Sequence, residues 1–217
     1  SLMWTPVDSL PLLDKHIESA TNTSNYIVQA SFAKKALNNQ GLNNVHLLPV
    51  PLDPENFHKL DDRKREDLRK ANGIPVNDFI IGFVFRNQLR KSVPNMLEGF
   101  KIFKDKNPHV QARLLFHTHW SEGWDIPRLL KEKGIDPSLV LTTYYCDNCK
   151  NYQVKAFSGQ DQDCPICGSK KSQQTAQINR GPNEEQLNEI YNLMDVYCHP
   201  FTSGGQELPI QEAKLNK

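Results

Sequence analysis

Phe79-Ile80-Ile81-Gly82-Phe83-Val84-Phe85, running straight into Arg86-Asn87-Gln88-Leu89-Arg90-Lys91, is the stretch on which the fold turns. Seven residues without a polar side chain predict a strand buried on both faces, the habit of a parallel sheet covered by helices. Three cations then fall within six positions, at the strand's carboxyl end. Pro94 to Lys106 follows as an amphipathic helix, with Met96, Leu97, Phe100 and Phe103 on one stripe. Outward from there the rhythm repeats. Ala112 to His117 reads as a strand, Pro127 to Lys133 as a short helix closed by Gly134, and Leu139 to Tyr145 as a third strand. After an interruption it resumes with a strand over Thr175 to Ile178 and a helix over Asn183 to Met194. That helix carries Leu187, Ile190, Tyr191 and Met194 on one face, and Asn183 with Gln186 at its start as a capping box. Val196 to Pro200 is the last strand. Strand–helix alternation of this kind predicts an α/β fold with a Rossmann-like, doubly wound parallel sheet, whose ligands bind beyond the strand carboxyl ends.

Upstream, Ser24 to Ser31 reads as a strand and Phe32 to Asn39 as a helix. Val45 to Val50 is apolar but closed by Pro49, Pro51 and Pro54, which disfavours a regular ladder and suggests a crossover between domains. Residues 1–50 are therefore expected to be the end of one domain and 51–217 a second, interrupted by residues 145–174. The charged run over residues 61–72 reads as a solvated helix ending at Gly73.

The interruption contains Cys146-Asp147-Asn148-Cys149, fourteen residues, then Cys164-Pro165-Ile166-Cys167-Gly168. Each two-residue spacer turns two sulfurs inward, and four thiolates close a tetrahedral zinc site of the structural kind, a zinc ribbon. The polar segment between the pairs has no core of its own, so metal binding is expected to supply its folding energy. Its charges are mixed, which favours a stabilised loop or a partner contact over a nucleic-acid reader. Cys198, within an apolar strand, is expected to be a buried core thiol.

The chain has 217 residues, 38% hydrophobic and 24% charged, with a formal net charge of +1. This near-neutral balance speaks against general binding to nucleic acid or membrane surfaces. No apolar run approaches the roughly 20 residues needed to span a bilayer. Paired cysteines of metal-ligand spacing suit a reducing compartment, so a cytoplasmic location is expected.

The closing segment, Asp195 to Ala213, places Gly204-Gly205 between a strand and a helix opened by Pro209. Bare amides at a helix N-terminus beside a side-chain-free turn make a seat for an anion such as a diphosphate. Glu212 lies one turn into the helix, at the same edge.

With these residues in view, the chain resembles a two-domain retaining glycosyltransferase of the GT-B type, in the "group one" family, over about residues 24–215. Phe83 to Lys91 is similar to the family's strand followed by an arginine and a lysine, which hold the diphosphate of a nucleotide-sugar donor. The resemblance assigns that role to Arg86 and Lys91, with Phe85 where the family has glycine and Arg90 able to replace either cation. Leu208-Pro209-Ile210-Gln211-Glu212-Ala213 matches the family's Leu-Pro, two residues, Glu-Ala, and implies that Glu212 binds the donor ribose. The family's first glutamate falls at Gly204, and Gly205-Gln206-Glu207 replaces its Gly-Phe-Gly. Gly204, Gly205, Gln206, Glu207 and Leu208 are thus expected to line the donor site, with Glu207 displaced by three positions. The resemblance implies transfer with retention, no catalytic metal, and an acceptor (carbohydrate, lipid or protein) held mostly by the other domain. It also implies a fragment centred on the donor half, weakly active alone. His117, His119, Trp120 and Trp124 have a core or rim role, or a sugar-stacking one. A different class of function is also open: a zinc-ribbon module that binds protein or nucleic acid on an inactive scaffold of this kind.

Overall fold

A computed structural model of the chain describes residues 1–177 and 179–216. They form two compact units, residues 1–52 with 201–211, and the described residues of 53–200 with 212–216. Residues 201–211, expected within the second domain, thus group with the first unit.

The smaller unit is a three-stranded parallel sheet in the order β1 (Leu2–Thr5), β2 (Asn25–Val28), β3 (Val45–Leu47). Helix α1 (Asp14–Thr21) links the first two strands and α2 (Ser31–Asn38) the second and third. Its core is Val7, Ala20, Tyr26, Val28, Ala33, Leu37 and Val45. The structure therefore holds more of this sheet than the strand and helix expected from residues 24–39. Leu2-Met3-Trp4-Thr5 has no polar–apolar alternation to mark it, and pairs with β2 throughout. Val45–Leu47 also pairs, because its ladder stops two residues before Pro49.

The larger unit begins with α3 (Asp62–Ala71), followed by β4 (Phe79–Val84), α4 (Val93–Lys106), β5 (Ala112–His117), α5 (Ile126–Lys133) and β6 (Val140–Cys146). Then come β7 (Tyr152–Ala156), β8 (Gln173–Thr175), α6 (Glu184–Asn192), β9 (Val196–Tyr197) and α7 (Leu208–Leu215), which spans the division between the units. The sheet order is β7-β6-β5-β4-β9, with β8 also paired to β6. β4, β5, β6 and β9 run parallel. Phe83, Leu114 and Phe116 pack with Met96, Leu97, Phe100, Ile126 and Leu130 of α4 and α5 on one face. Ile80, Val84, Leu115 and Leu141 pack with Ile190, Tyr191 and Met194 on the other. Apolar residues on both sides of each central strand are what made the run from Phe79 legible. A Cβ on Gly82 would run into the Met194 side chain, which would have to shift to admit it.

Three expectations are corrected. The strand expected over Thr175–Ile178 is Gln173–Thr175, and it pairs antiparallel with β6 as part of the ribbon; Ile178 itself lies outside the described residues. The segment between the cysteine pairs, expected to have no core of its own, joins the main sheet and its core: β7 pairs with β6 and forms the sheet edge, and Val154 is buried, while β8, after the second pair, also pairs with β6. Cys198 is exposed and not a core thiol. The cause is that β9 is a two-residue edge strand with β4 as its partner on one side. The charged helix α3 is mostly solvated as expected, except that Arg69 is 2% exposed.

Candidate functional site

The chain leaves β4 toward β5 and β6 on one side, then returns to place β9 on the other side of β4. This reversal makes the carboxyl ends of β4 and β9 a topological switch point, the kind of place at which α/β sheets bind ligands. Lys91 and His199 meet there. Lys91 ends a 3-10 turn (Leu89–Lys91) and is only 3% exposed. Its backbone is followed by Ser92 at φ 45, a left-handed conformation that a side-chain-bearing residue rarely adopts and that tightens the entry to α4.

The Lys91 Nζ lies 3.3 Å from His199 Nε2, and His199 Nδ1 lies 2.6 Å from the Tyr197 hydroxyl. The Tyr197 hydroxyl donates to the Val84 carbonyl at 3.0 Å. With its one proton so used, Tyr197 accepts from His199 Nδ1–H, and the unprotonated Nε2 accepts from the Lys91 ammonium. Phe83 supports the imidazole edge to face, with centroids 5.0 Å apart. Tyr197 packs on Tyr191 at a centroid distance of 5.8 Å, and the Tyr191 hydroxyl donates to Glu212 Oε2 at 2.6 Å. Burial raises the Glu212 carboxyl above its ordinary value, against the Tyr191 bond, which lowers it. Burial likewise pushes the Tyr191 phenol up, with Tyr197 and Glu212 adding to it. Lys91 and Glu212 are thereby joined in one packed series of polar side chains through His199, Tyr197 and Tyr191.

Arg86 is exposed on the same loop as Lys91 and pairs with Glu122 at 3.7 Å. Phe85, where the resemblance expects glycine, is buried against Phe83 with ring centroids 3.8 Å apart. Sequence reasoning missed His199 and treated Tyr191 as core. The signal for His199 was its place two residues after Tyr197, on the same side of an extended segment at a strand's carboxyl end.

Residues Gly204–Leu208 belong to the smaller unit. The Gly204 amide donates to the Asp8 carbonyl at 2.7 Å. The Gln206 side chain accepts from the Val50 amide at 2.6 Å and donates to the Val50 carbonyl at 3.0 Å. A Cβ on Gly205 would approach Asp8, Pro6 and Val7 at 3.0–3.1 Å, so its glycine serves close chain packing. A Cβ on Gly204 would meet the Glu207 carboxylate. Leu208 opens α7.

The four cysteines come together as expected. Their sulfurs lie within 4.8 Å of one another, with Cys146 to Cys167 and Cys149 to Cys164 both at 3.8 Å. A tetrahedron with metal–sulfur bonds of about 2.3 Å has edges of about 3.8 Å. The donor set therefore fits a tetrahedral metal ion. Lys150 N–H donates to the Cys146 carbonyl and Gly168 N–H to the Cys164 carbonyl, closing two knuckles; Gly168 has φ 71. Hydrogen bonds from Asn148 and Ser169 hold the Cys167 thiol down at about 5. Burial pushes Cys164 up to about 11.

The cluster after β5 has core and rim roles. Trp120 is buried, stacks on Phe157 at 4.2 Å and donates its indole N–H to Thr142 at 2.8 Å. Trp124 donates its own to the Leu89 carbonyl at 3.1 Å. His117 is held down at about 4 by burial.

No protein-family model matches the chain, and no curated protein matches it. Solved structures do. The structure described as TarM aligns with a TM-score of 0.60 at 13% identity, covering 99% of this chain and 34% of that one. The E. coli structure described as "trehalose-6-phosphate … bound with UDP-2-fluoro glucose" aligns at 0.52 and 14% identity, covering 96% of this chain and 47% of that one. This chain thus spans between a third and a half of the length of these neighbours. Both are GT-B glycosyltransferases, and the α/β fold with its parallel-dominated sheets is of that type. Among the described residues, no helix is long and apolar enough to cross a membrane.

Proposed function

We propose that this chain supplies the donor-binding half of a retaining glycosyltransferase. The observation that carries the reading is the burial of Lys91 at the β4/β9 switch point, fixed by His199 and joined through Tyr197 and Tyr191 to Glu212. Lys91 and the exposed Arg86 are the cations for the donor diphosphate. Glu212 is the acceptor for the ribose hydroxyls. On the resemblance alone, the amides of Gly205 to Leu208 and the Glu207 carboxylate also take part in donor binding. As the glycosidic bond breaks, charge builds on the leaving diphosphate, and fixed cations stabilise it without a metal. The four-cysteine site is assigned zinc; a closed tetrahedral set leaves no open position for catalysis. The acceptor is a carbohydrate, lipid or protein.

Calorimetric titration with UDP, GDP and ADP tests this. Binding of at least one nucleotide is expected, and Lys91→Ala should weaken it by about 10- to 100-fold, the worth of a charge-assisted hydrogen bond. Silence from all three nucleotides would sink the proposal. Metal analysis should give one zinc per chain.

A further inference from the structure

The four-cysteine ribbon and the cationic loop are joined by a continuous set of hydrogen bonds within the larger unit. Starting at the metal site, Ser172 lies 3.2 Å from Cys146 Sγ, and Gln173 Nε2 lies 3.9 Å from Cys164 Sγ. Gln173 opens β8, which pairs with Tyr144 to Cys146 and ends at Thr175. The sulfurs of Cys146 and Cys164 thus lie at the start of this strand.

Thr175 is the next station. Its hydroxyl oxygen accepts from Trp120 N–H at 3.2 Å and from Gln160 Nε2 at 2.6 Å, and lies 3.1 Å from His119 Nδ1. Two acceptor positions are used, so the single hydroxyl proton goes to His119 Nδ1. Gln160, itself within the ribbon, accepts the Thr175 amide at 2.9 Å. One buried threonine thus fixes the start of the loop over residues 118–124.

Asn87 is the last station. It is 2% exposed and follows Arg86, ahead of Arg90 and Lys91 in the same loop. Its side-chain nitrogen donates to the carbonyls of Trp124, at 2.9 Å, and Glu122, and its oxygen accepts from Trp124 N–H at 3.1 Å. Gly123, at φ 59, lies so close that a Cβ there would collide with the Asn87 backbone. Glu122 then meets Arg86, and Trp124 Nε1 donates to Leu89 two residues before Lys91.

We propose that the metal ribbon is the support of the cationic loop: Thr175 and Gln160 hold residues 118–124, these hold Asn87, and metal loading therefore controls the order of residues 86–91. Thr175 and Asn87 are positioning residues, acting through the loops they hold. That the loop's ligand is a nucleotide diphosphate rests on the reading given above; the coupling itself does not.

Hydrogen exchange on the full chain tests the coupling, comparing zinc-loaded protein, chelator-stripped protein, and zinc-loaded Thr175→Val and Thr175→Ser. Exchange over residues 118–124 and 86–91 should speed up about tenfold or more on stripping and in Thr175→Val. Thr175→Ser, which keeps the hydroxyl, should restore protection. Strands β4 and β5 should stay protected throughout, which separates local loosening from unfolding. If stripping unfolds the larger unit, the zinc-loaded Thr175→Val protein decides. Unchanged exchange over residues 86–91 in Thr175→Val at one zinc per chain would overturn the coupling. UDP titration forms the second arm: Thr175→Val should bind about tenfold more weakly than wild type, and Thr175→Ser equally well. Absence of nucleotide binding by the zinc-loaded wild type counts against the proposed function, whereas unchanged exchange counts against the coupling.

Discussion

At the scale of single residues, His199 uses both ring nitrogens, one toward Lys91 and one toward Tyr197. It fixes where the lysine's charge sits, so replacing it should loosen Lys91 without removing the cation. His199→Ala is expected to weaken UDP binding by less than Lys91→Ala does, which parallel titrations would show. His117 gives a separate expectation about pH. Burial holds it at about 4 in the folded chain, against about 6.5 when unfolded. Its folded pKa is the lower one, so its neutral form stabilises the fold fully above about 6.5, and that contribution is lost as pH falls toward 4. Urea unfolding across this window should show stability falling with acidification, and His117→Gln should flatten the slope. The cations of residues 86–91 were legible in the sequence because they stand at the end of an unmistakable strand. His199 was not, because its role depends on Lys91, over a hundred positions away.

At the scale of elements, α3 is fastened to the sheet by charge. Arg65 and Arg69 pair with Asp195 at 2.5 and 2.7 Å. Arg69 also donates to the carbonyls of Val76, Asp78 and Leu193. Burial pushes the Asp195 carboxyl up, but the Ile80 amide and the two arginines outweigh it and hold it below its ordinary value. That contribution is present above about pH 4 and is lost on further acidification. Asp195→Asn leaves the Arg69 charge buried without its counter-ion and should cost about 3–5 kcal/mol by urea denaturation. From the sequence, the run over residues 61–72 reads as a solvated face. Its composition is indeed that of one, and only the approach of Leu193 and Asp195, between α6 and β9, selects Arg69 for burial. The ribbon shows the opposite balance. Its cysteine spacing was readable because each pair forms its own knuckle, whereas the pairing of β7 and β8 with β6 came from contacts between segments without strong apolar patterning.

At the scale of the whole molecule, the chain divides into two units with separate cores. Zinc, and the nucleotide through Arg86, Lys91 and Glu212, are assigned above to the larger one. Ligand at 100 times its dissociation constant adds about 2.7 kcal/mol to whatever binds it. Scanning calorimetry should therefore show the larger unit's transition rising with UDP and falling on chelation. A shift confined to the smaller unit's transition would contradict this assignment.

The sequence by itself determined the strand–helix alternation of the larger unit outside the ribbon, the gathering of Cys146, Cys149, Cys164 and Cys167, and the cations that end β4. Each of these is written in local spacing, in hydrophobic period or in a two-residue turn. Tertiary structure alone decided the rest. It placed β9 beside β4, which brought His199 to Lys91 and left Cys198 exposed. It ran the ribbon out of β6 as part of the main sheet, and grouped residues 201–211 with the first unit. These outcomes depend on pairings across tens to more than a hundred residues, and no local periodicity encodes which distant segment a strand edge or a buried charge will meet.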